Sequence, residues 1–295
     1  MRAQIGPVPW QERAFARVPT EKIALMKFSV CNEMFEGWSF EDVCRAAKDA
    51  GFGGVEIAPF TLAGLAGDVS QEERKSMREA AARRGVEIVG LHWLLAQTTG
   101  FYVNHPDEAV RAKTVDYLAD LTNLCADLGG SIMVFGSPKQ RNVCEGLTYD
   151  QAWDYAVQTL RKAVPLMEKR GVTLCLEPLS PEETDFLNTA DEAAKLIAEI
   201  DSPNFQLLLD VKAMSSEPTP IPEIIRANAS IVKHFHANDA NKRGPGFGDT
   251  DFGPIAAALK EIDFEGWVSV EVFDFTPDPV TIATKSMDYL RRAFA

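Results

Sequence analysis

A chain of 295 residues with 46% apolar and 25% charged side chains carries enough apolar material for a sizeable core, in one large domain or two medium ones. Its 43 Asp and Glu against 30 Lys and Arg leave a formal charge of −13, which argues against nucleic acid or an anionic membrane as partner. Phosphate is bound mainly through clustered Lys and Arg, and this surface has the opposite balance. No apolar run approaches the roughly 18 residues of a membrane span. The five cysteines (Cys31, Cys44, Cys125, Cys144, Cys175) are scattered, lack a C-x-x-C pair and read as buried thiols in a reducing, cytoplasmic setting.

Residues 1–26 have no continuous hydrophobic core of the secretory kind and stand outside the rhythm of the rest, as an N-terminal extension. From Lys27 onward, strand-like and helix-like segments alternate. KFSVCNE (27–33) precedes the amphipathic stretch 39–51, and GGVEIAPF (53–60) precedes 70–85, a helix opened by Ser70 and closed by Gly85. VEIVGLHWLL (86–95) precedes helix 107–129, and SIMVFGSP (131–138) precedes helix 149–171. VTLCLEPLS (172–180) is followed by helix 189–200, and FQLLLDVKAM (205–214) by 221–230. IVKHFHAND (231–239) leads to 252–262, and GWVSVEVF (266–273) leads to 279–294.

Eight strand–helix units in sequence, with short apolar strands suited to burial on both faces, predict an α/β fold. The expected architecture is a closed (β/α)8 barrel over 27–295 as a single domain. No G-x-G-x-x-G follows a strand, so an open doubly wound sheet fits less well. Gly51, Gly85, Gly129 and Gly171 mark helix ends.

In such a barrel the functional end is where the strands' C-termini emerge. Glu177, Asp210, His236 and Glu271 close the apolar runs of strands five, six, seven and eight. A single strand-end acid usually caps a helix or pairs with Lys or Arg. Four ligand-type residues on consecutive strands, spaced about 4.8 Å apart, are placed to surround one ion. Three carboxylates and one imidazole suit Mn²⁺ first, with Co²⁺, Mg²⁺ or Zn²⁺ as alternatives. His92 and Trp93, ending strand three, are candidates for a pocket wall and a polar contact. Of Asn32, Glu33 and Glu56 at the ends of strands one and two, Glu56 is the preferred pocket residue. Lys139 and Arg141 at the barrel mouth are a weak phosphate-binding signal without a glycine-rich cradle. His105 and His234 read as structural.

These residues resemble the xylose-isomerase-like barrels, which include ketose 3-epimerases, hydroxypyruvate isomerases, inosose dehydratases and AP endonucleases. The resemblance runs from Lys27 to the C-terminus. Ligand spacings of 33, 26 and 35 residues are similar to those of ketose 3-epimerases such as D-tagatose or D-allulose 3-epimerase. So are the FLNTADEA stretch and HANDANKRGPGFGDTDF after strand seven.

The resemblance implies an enzyme in which a metal chelates the carbonyl and neighbouring hydroxyl of a sugar or keto-sugar. Glu177 and Glu271 would exchange a proton on opposite faces of the carbon between them. It implies that Glu183 receives sugar hydroxyls. Asp239 and Lys242, in an H-x-x-D-x-x-K pattern with His236, would contact substrate, Lys242 steadying an oxyanion. It also implies a homo-oligomer.

Two departures stand out. Ala213 occupies the place of a substrate-binding His, and Ser180-Pro181 replaces an Asn-Arg pair. They open a competing expectation with the same metal site, a dehydratase or β-eliminating lyase acting on an inosose or 3-keto-glycoside. DNA repair needs a zinc cluster rich in histidine, and four histidines with a charge of −13 argue against it. A non-catalytic sugar-binding protein would need neither an acid nor a base.

Overall fold

Local chemistry sets the element boundaries. In the structure, a computed structural model that describes residues 26–295, the strands are β1 (Lys27–Cys31), β2 (Gly54–Ile57), β3 (Glu87–Leu91), β4 (Ile132–Phe135), β5 (Thr173–Leu176), β6 (Phe205–Asp210), β7 (Val232–Ala237) and β8 (Trp267–Val270). Between them run α1 (Phe40–Ala50), α2 (Gln71–Arg84), α3 (Glu108–Leu128), α4 (Tyr149–Arg170), α5 (Ala190–Ile200), α6 (Val211–Met214), α7 (Ile221–Ala227), α8 (Phe252–Glu261) and α9 (Pro279–Ala293). Ser70 opens α2 and Thr148 opens α4 through reciprocal capping boxes with Glu73 and Gln151, satisfying backbone N–H groups that the helix leaves free.

All eight strands pair in parallel and in chain order, and β1 pairs with β8 to close the barrel. The expected (β/α)8 architecture is therefore observed over the described residues. The expected extension 1–26 falls, except for Met26, outside them. No helix among the described residues is long and apolar enough to cross a membrane.

Two kinds of core result. The larger one packs the strands' outward faces against the helices, with Phe52, Leu118, Leu160, Leu196, Phe205 and Leu290 all buried. A smaller cluster of strand residues, Val89, Ile132, Val134, Cys175 and Leu208, packs with Trp267. Gly90 permits the contact between β3 and β4, since a Cβ there would lie 1.8 Å from the Ile132 carbonyl oxygen. A second interior group is polar: Ser29, Glu56, His234, His236 and Ser269, all fully buried.

Several strands are shorter than the apolar runs suggest. β5 stops at Leu176 and β8 at Val270, so Glu177 and Glu271 are the first residues beyond the sheet. β3 ends at Leu91, leaving His92 and Trp93 in the following loop. The run 205–214 divides at Asp210, after which Val211–Met214 forms a single helical turn. Its last apolar residues are buried in that turn, so hydrophobicity continues where pairing does not.

Candidate metal centre and active site

Glu177, Asp210, His236 and Glu271 come together at the C-terminal end of the barrel. Each offers a ligand atom, these atoms lie within 4.8 Å of one another, and all four side chains are buried. Each is held by neighbours that leave it little freedom. The Asp210 Oδ1 accepts the Ala213 N–H at 2.7 Å, capping α6, while its Oδ2 accepts from the Asn238 amide. The Lys212 N–H in turn donates to Asn238 Oδ1 at 2.8 Å. The indole N–H of Trp93 donates to Glu271 Oε1 at 2.8 Å.

Glu177 lies against the end of β4, where Gly136 makes room for it. A Cβ at Gly136 would stand 1.7 Å from Glu177 Oε2. The backbone carbonyl of Glu177 accepts from Arg141 Nη1 at 2.7 Å, and the same guanidinium reaches the carbonyls of Phe135 and Ser137.

His236 is held from behind. Its Nε2 lies 3.1 Å from Glu56 Oε1 and its Nδ1 3.1 Å from Glu271 Oε2. Glu56 also accepts from Ser269 Oγ at 2.6 Å and meets His234 Nε2 at 2.7 Å. An ionised Glu56 behind Nε2 would hold the proton there and leave Nδ1 free for an ion, as carboxylates behind ligating histidines do.

The electrostatics of the cluster are unbalanced. Burial, then the charges of Glu271 and Asp210, raise Glu177 well above the usual carboxylate range. Burial and Glu271 push Asp210 up to about 6. Burial opposes ionisation of Glu271 as well, but His236 beside it, with His92 and Lys212, holds it below its ordinary value. The imidazole of His236 is disfavoured as a cation by burial, yet Glu271 and Glu56 raise it well above the ordinary value. Glu56 is held low by His234 and His236 against a large burial penalty. Three buried carboxylates sharing one imidazole lack positive charge, and an oxygen-rich donor set with one nitrogen fits a divalent cation.

The remaining expected site residues divide. Trp93 and Glu183 line a small pocket of about 20 Å³ with Glu177, Glu271, Lys212 and Phe273. Glu183 is paired there with Lys212, whose ammonium lies 2.6 Å from Glu183 Oε1 and 4.3 Å from the centroid of the Phe273 ring. His92 is fully buried and bonded through Nε2 to Glu33 Oε2 at 2.7 Å, behind the wall rather than on it.

Four expectations are corrected. Glu56 lines neither the small pocket nor the larger cavity beside it, because it sits beneath His236 as its support. Asp239 is buried in the loop after β7, where Oδ1 accepts from Thr250 Oγ1 at 2.8 Å. Lys242 is exposed with φ 70°, and its carbonyl oxygen receives the N–H groups of Phe273 and Asp274. Arg141 is fully buried on three backbone carbonyls and offers nothing to a phosphate at the mouth.

Lys212 and Asn238 were missed by sequence reasoning. The signal for Lys212 was a single cation interrupting the apolar run FQLLLDVKAM two residues after a ligand. Asn238 carried no signal beyond following His236 in HAND.

Beside the small pocket opens a cavity of about 860 Å³ walled by the loops after β1, β2, β3, β4 and β8. Trp93, Pro138 and Phe273 line both spaces.

A closed (β/α)8 barrel with three carboxylates and an imidazole gathered at the ends of its last four strands defines a class of metal-site barrels. Within that class the chain belongs to the xylose isomerase-like TIM barrel family, whose family model matches residues 44–293. Over 121 residues it is 32% identical to a D-psicose 3-epimerase of Ruminiclostridium cellulolyticum, covering 41% of each chain. A D-psicose 3-epimerase of Enterocloster bolteae is 26% identical over 260 residues, 86% of this chain and 84% of that one. The chain spans about half the length of the curated relatives it matches first, at 41%, 44% and 58%. Among solved structures, D-psicose 3-epimerase with D-tagatose from Clostridium cellulolyticum H10 superposes with a TM-score of 0.79. That match is 21% identical and covers 91% of this chain and 99% of that one, which shows a shared fold.

Proposed function

We propose that this chain is a divalent-metal-dependent sugar epimerase acting on a ketose-like substrate by proton transfer between two glutamates. The observation that carries this reading is the placement of Glu177 after β5 and Glu271 after β8, both within one ligand cluster with Asp210 and His236. Relatives named as ketose 3-epimerases support the same reaction class.

Glu177, Asp210, His236 and Glu271 would hold the ion, with Mn²⁺ the first choice for this oxygen-rich set. Bound there, it would act as a Lewis acid on a carbonyl and its neighbouring hydroxyl, acidifying the carbon between them. The two glutamates approach the cluster from β5 and β8 and have different neighbours. Glu271 is held ionised by His236 and receives the Trp93 N–H, which suits a base. Burial and its acidic neighbours raise Glu177 in the metal-free site, and a bound cation would return it to the carboxylate form that ligation and proton transfer need. Removing a proton at one face and delivering one at the other inverts the carbon, and the roles reverse for the opposite epimer.

Glu183 and Lys212 border the same pocket, offering one acceptor and one donor to sugar hydroxyls. Lys212 supplies a polar group beside Ala213, where the family resemblance implies a histidine. The reading extends to a cytoplasmic homo-oligomer, which size-exclusion chromatography with light scattering tests. The reaction itself is tested by solvent-deuterium exchange into a panel of ketoses with Mn²⁺ and with EDTA, read by NMR. Metal-dependent label at C3 with the epimer accumulating is the expected result. Near-full activity of Glu177→Gln or Glu271→Gln would sink the two-glutamate mechanism.

A further inference from the structure

We infer that the large cavity beside the candidate site is an aglycone subsite, and that the substrate is a keto-sugar joined to a planar aromatic group. The inference rests on the reading of Glu177 and Glu271 as the proton-transfer pair and names the class of molecule that they act on.

Space is the first argument. The pocket at the glutamates measures about 20 Å³, room for about one water-sized group, so the bulk of any substrate lies past Trp93, Pro138 and Phe273 in the cavity of about 860 Å³. A free hexose has twelve heavy atoms. Even at a water's share of roughly 30 Å³ for each, it would fill about 360 Å³ and leave more than half of the cavity empty. Small-molecule sites span ~300–1,000 Å³, and this cavity lies toward the upper end of that range.

The walls say what fills the remainder. Phe35, Trp38, Phe60, Trp93, Phe273 and Phe275 line the cavity. Trp38 and Phe275 are 40% and 39% exposed, two of the four exposed large hydrophobic residues among the described residues. Exposed aromatic side chains gathered at the rim of a concave site mark a contact surface.

A second sugar would need many free donors and acceptors, and the buried Asn32 is already committed. Asn32 accepts the Ala58 N–H and donates to Thr61, and Thr61 donates to the Ala58 carbonyl. Glu36, Gln97 and Lys139 are exposed, and Gln140 is half-buried. The exception is Glu33, a cavity residue whose side chain is only 8% exposed. Its Oε2 is bonded to His92, and its buried Oε1 has no partner. An unsatisfied buried carboxylate oxygen costs stability unless a donor reaches it, and a single hydroxyl of the bound molecule meets that need. Aromatic walls with one buried acceptor fit a flat, sparsely hydroxylated group better than a second sugar.

The experiment compares phenyl β-D-glucoside with methyl β-D-glucoside on the Mn²⁺-loaded full chain, by calorimetry or tryptophan fluorescence. Neither probe carries a carbonyl, so binding is read apart from turnover. The phenyl compound is expected to bind at least tenfold more tightly. In Trp38→Ala/Phe275→Ala, which alters only exposed side chains, the ratio should fall below threefold. Affinities within twofold of each other in the unsubstituted protein, or a ratio untouched by the double substitution, would overturn the inference. Solvent exchange separates it from the proposed reaction. Phenyl preference with no metal-dependent exchange into any ketose or phenyl 3-keto-glucoside would refute the proton-transfer reading and the substrate class built on it. Exchange into a free ketose without phenyl preference would refute the subsite alone.

Discussion

Gly136→Ala separates the requirements of the fold from those of the site. Gly136 follows β4 and is not in the left-handed region, so its backbone accepts an alanine without strain. The new methyl would lie 1.7 Å from Glu177 Oε2 and 2.9 Å from its Cδ, and the nearest atoms all belong to that carboxylate. Restoring an ordinary separation of roughly 3.5 Å means moving the carboxylate by close to 2 Å. The end of a side chain moves readily, so stability should change little. Catalytic geometry is less forgiving: a misplacement of ~1 Å can cost about 100-fold, or about 2.7 kcal/mol of barrier.

The expected result is a metal-free Tm close to that of the parent, a smaller rise in Tm on adding Mn²⁺, and turnover reduced at least ~100-fold. Circular dichroism, thermal unfolding with and without EDTA, and the solvent-exchange rate read the three quantities. Combined with Glu177→Gln, the alanine should add almost no further loss, because both act on one carboxylate. Parent-like turnover together with an undiminished Mn²⁺-induced shift would refute the claim that Gly136 creates the space Glu177 needs.

Glu56→Gln removes the charge behind His234 and His236. Breaking a buried pair in this way should cost roughly 3–5 kcal/mol in denaturant unfolding. Mn²⁺ affinity should fall about 10–100-fold through loss of the group orienting His236, and an unchanged affinity would show that Glu56 does not set the ligand. Lys212→Met keeps a side chain of similar length but removes the ammonium that pairs with Glu183 and lies over Phe273. KM should rise about tenfold with a smaller change in kcat, as for lost substrate binding, and parent-like kinetics would remove the pair from recognition. For pH, Asp210 is raised from 3.8 to about 6, so the metal-free folded chain holds this proton more tightly than the unfolded chain. Its stabilising contribution is complete below 3.8 and is lost as pH rises through about 6. A divalent ion needs the carboxylate ionised and competes with that proton. The Mn²⁺-induced rise in Tm should therefore grow from pH 5 to pH 7, and a pH-independent rise would count against Asp210 as a ligand.

The order of elements and the closed barrel were legible because strand burial, helix capping and glycine stops are local properties of the chain. Glu177, Asp210, His236 and Glu271 were legible for a related reason: each stands within a residue or so of where an apolar run stops pairing, and a barrel gathers such positions at one end. Beyond that point the period-two alternation that tells inside from outside no longer applies. Trp93 has φ 53° and Lys242 φ 70°, and each turns its chain where no alternation rule reaches. Trp93 meets Glu271 as a result, while Lys242 is left exposed. The single turn Val211–Met214 carries Lys212 to the pocket, and the barrel interior places Glu56 under His236 although they are 180 residues apart in sequence. Sequence by itself determined the order of the elements and placed the four ligand-type residues within a residue or so of the strand ends. Only the tertiary structure decided which loop residues face the site and which support it, because side-chain direction in a loop depends on backbone turns set by contacts distant in the chain.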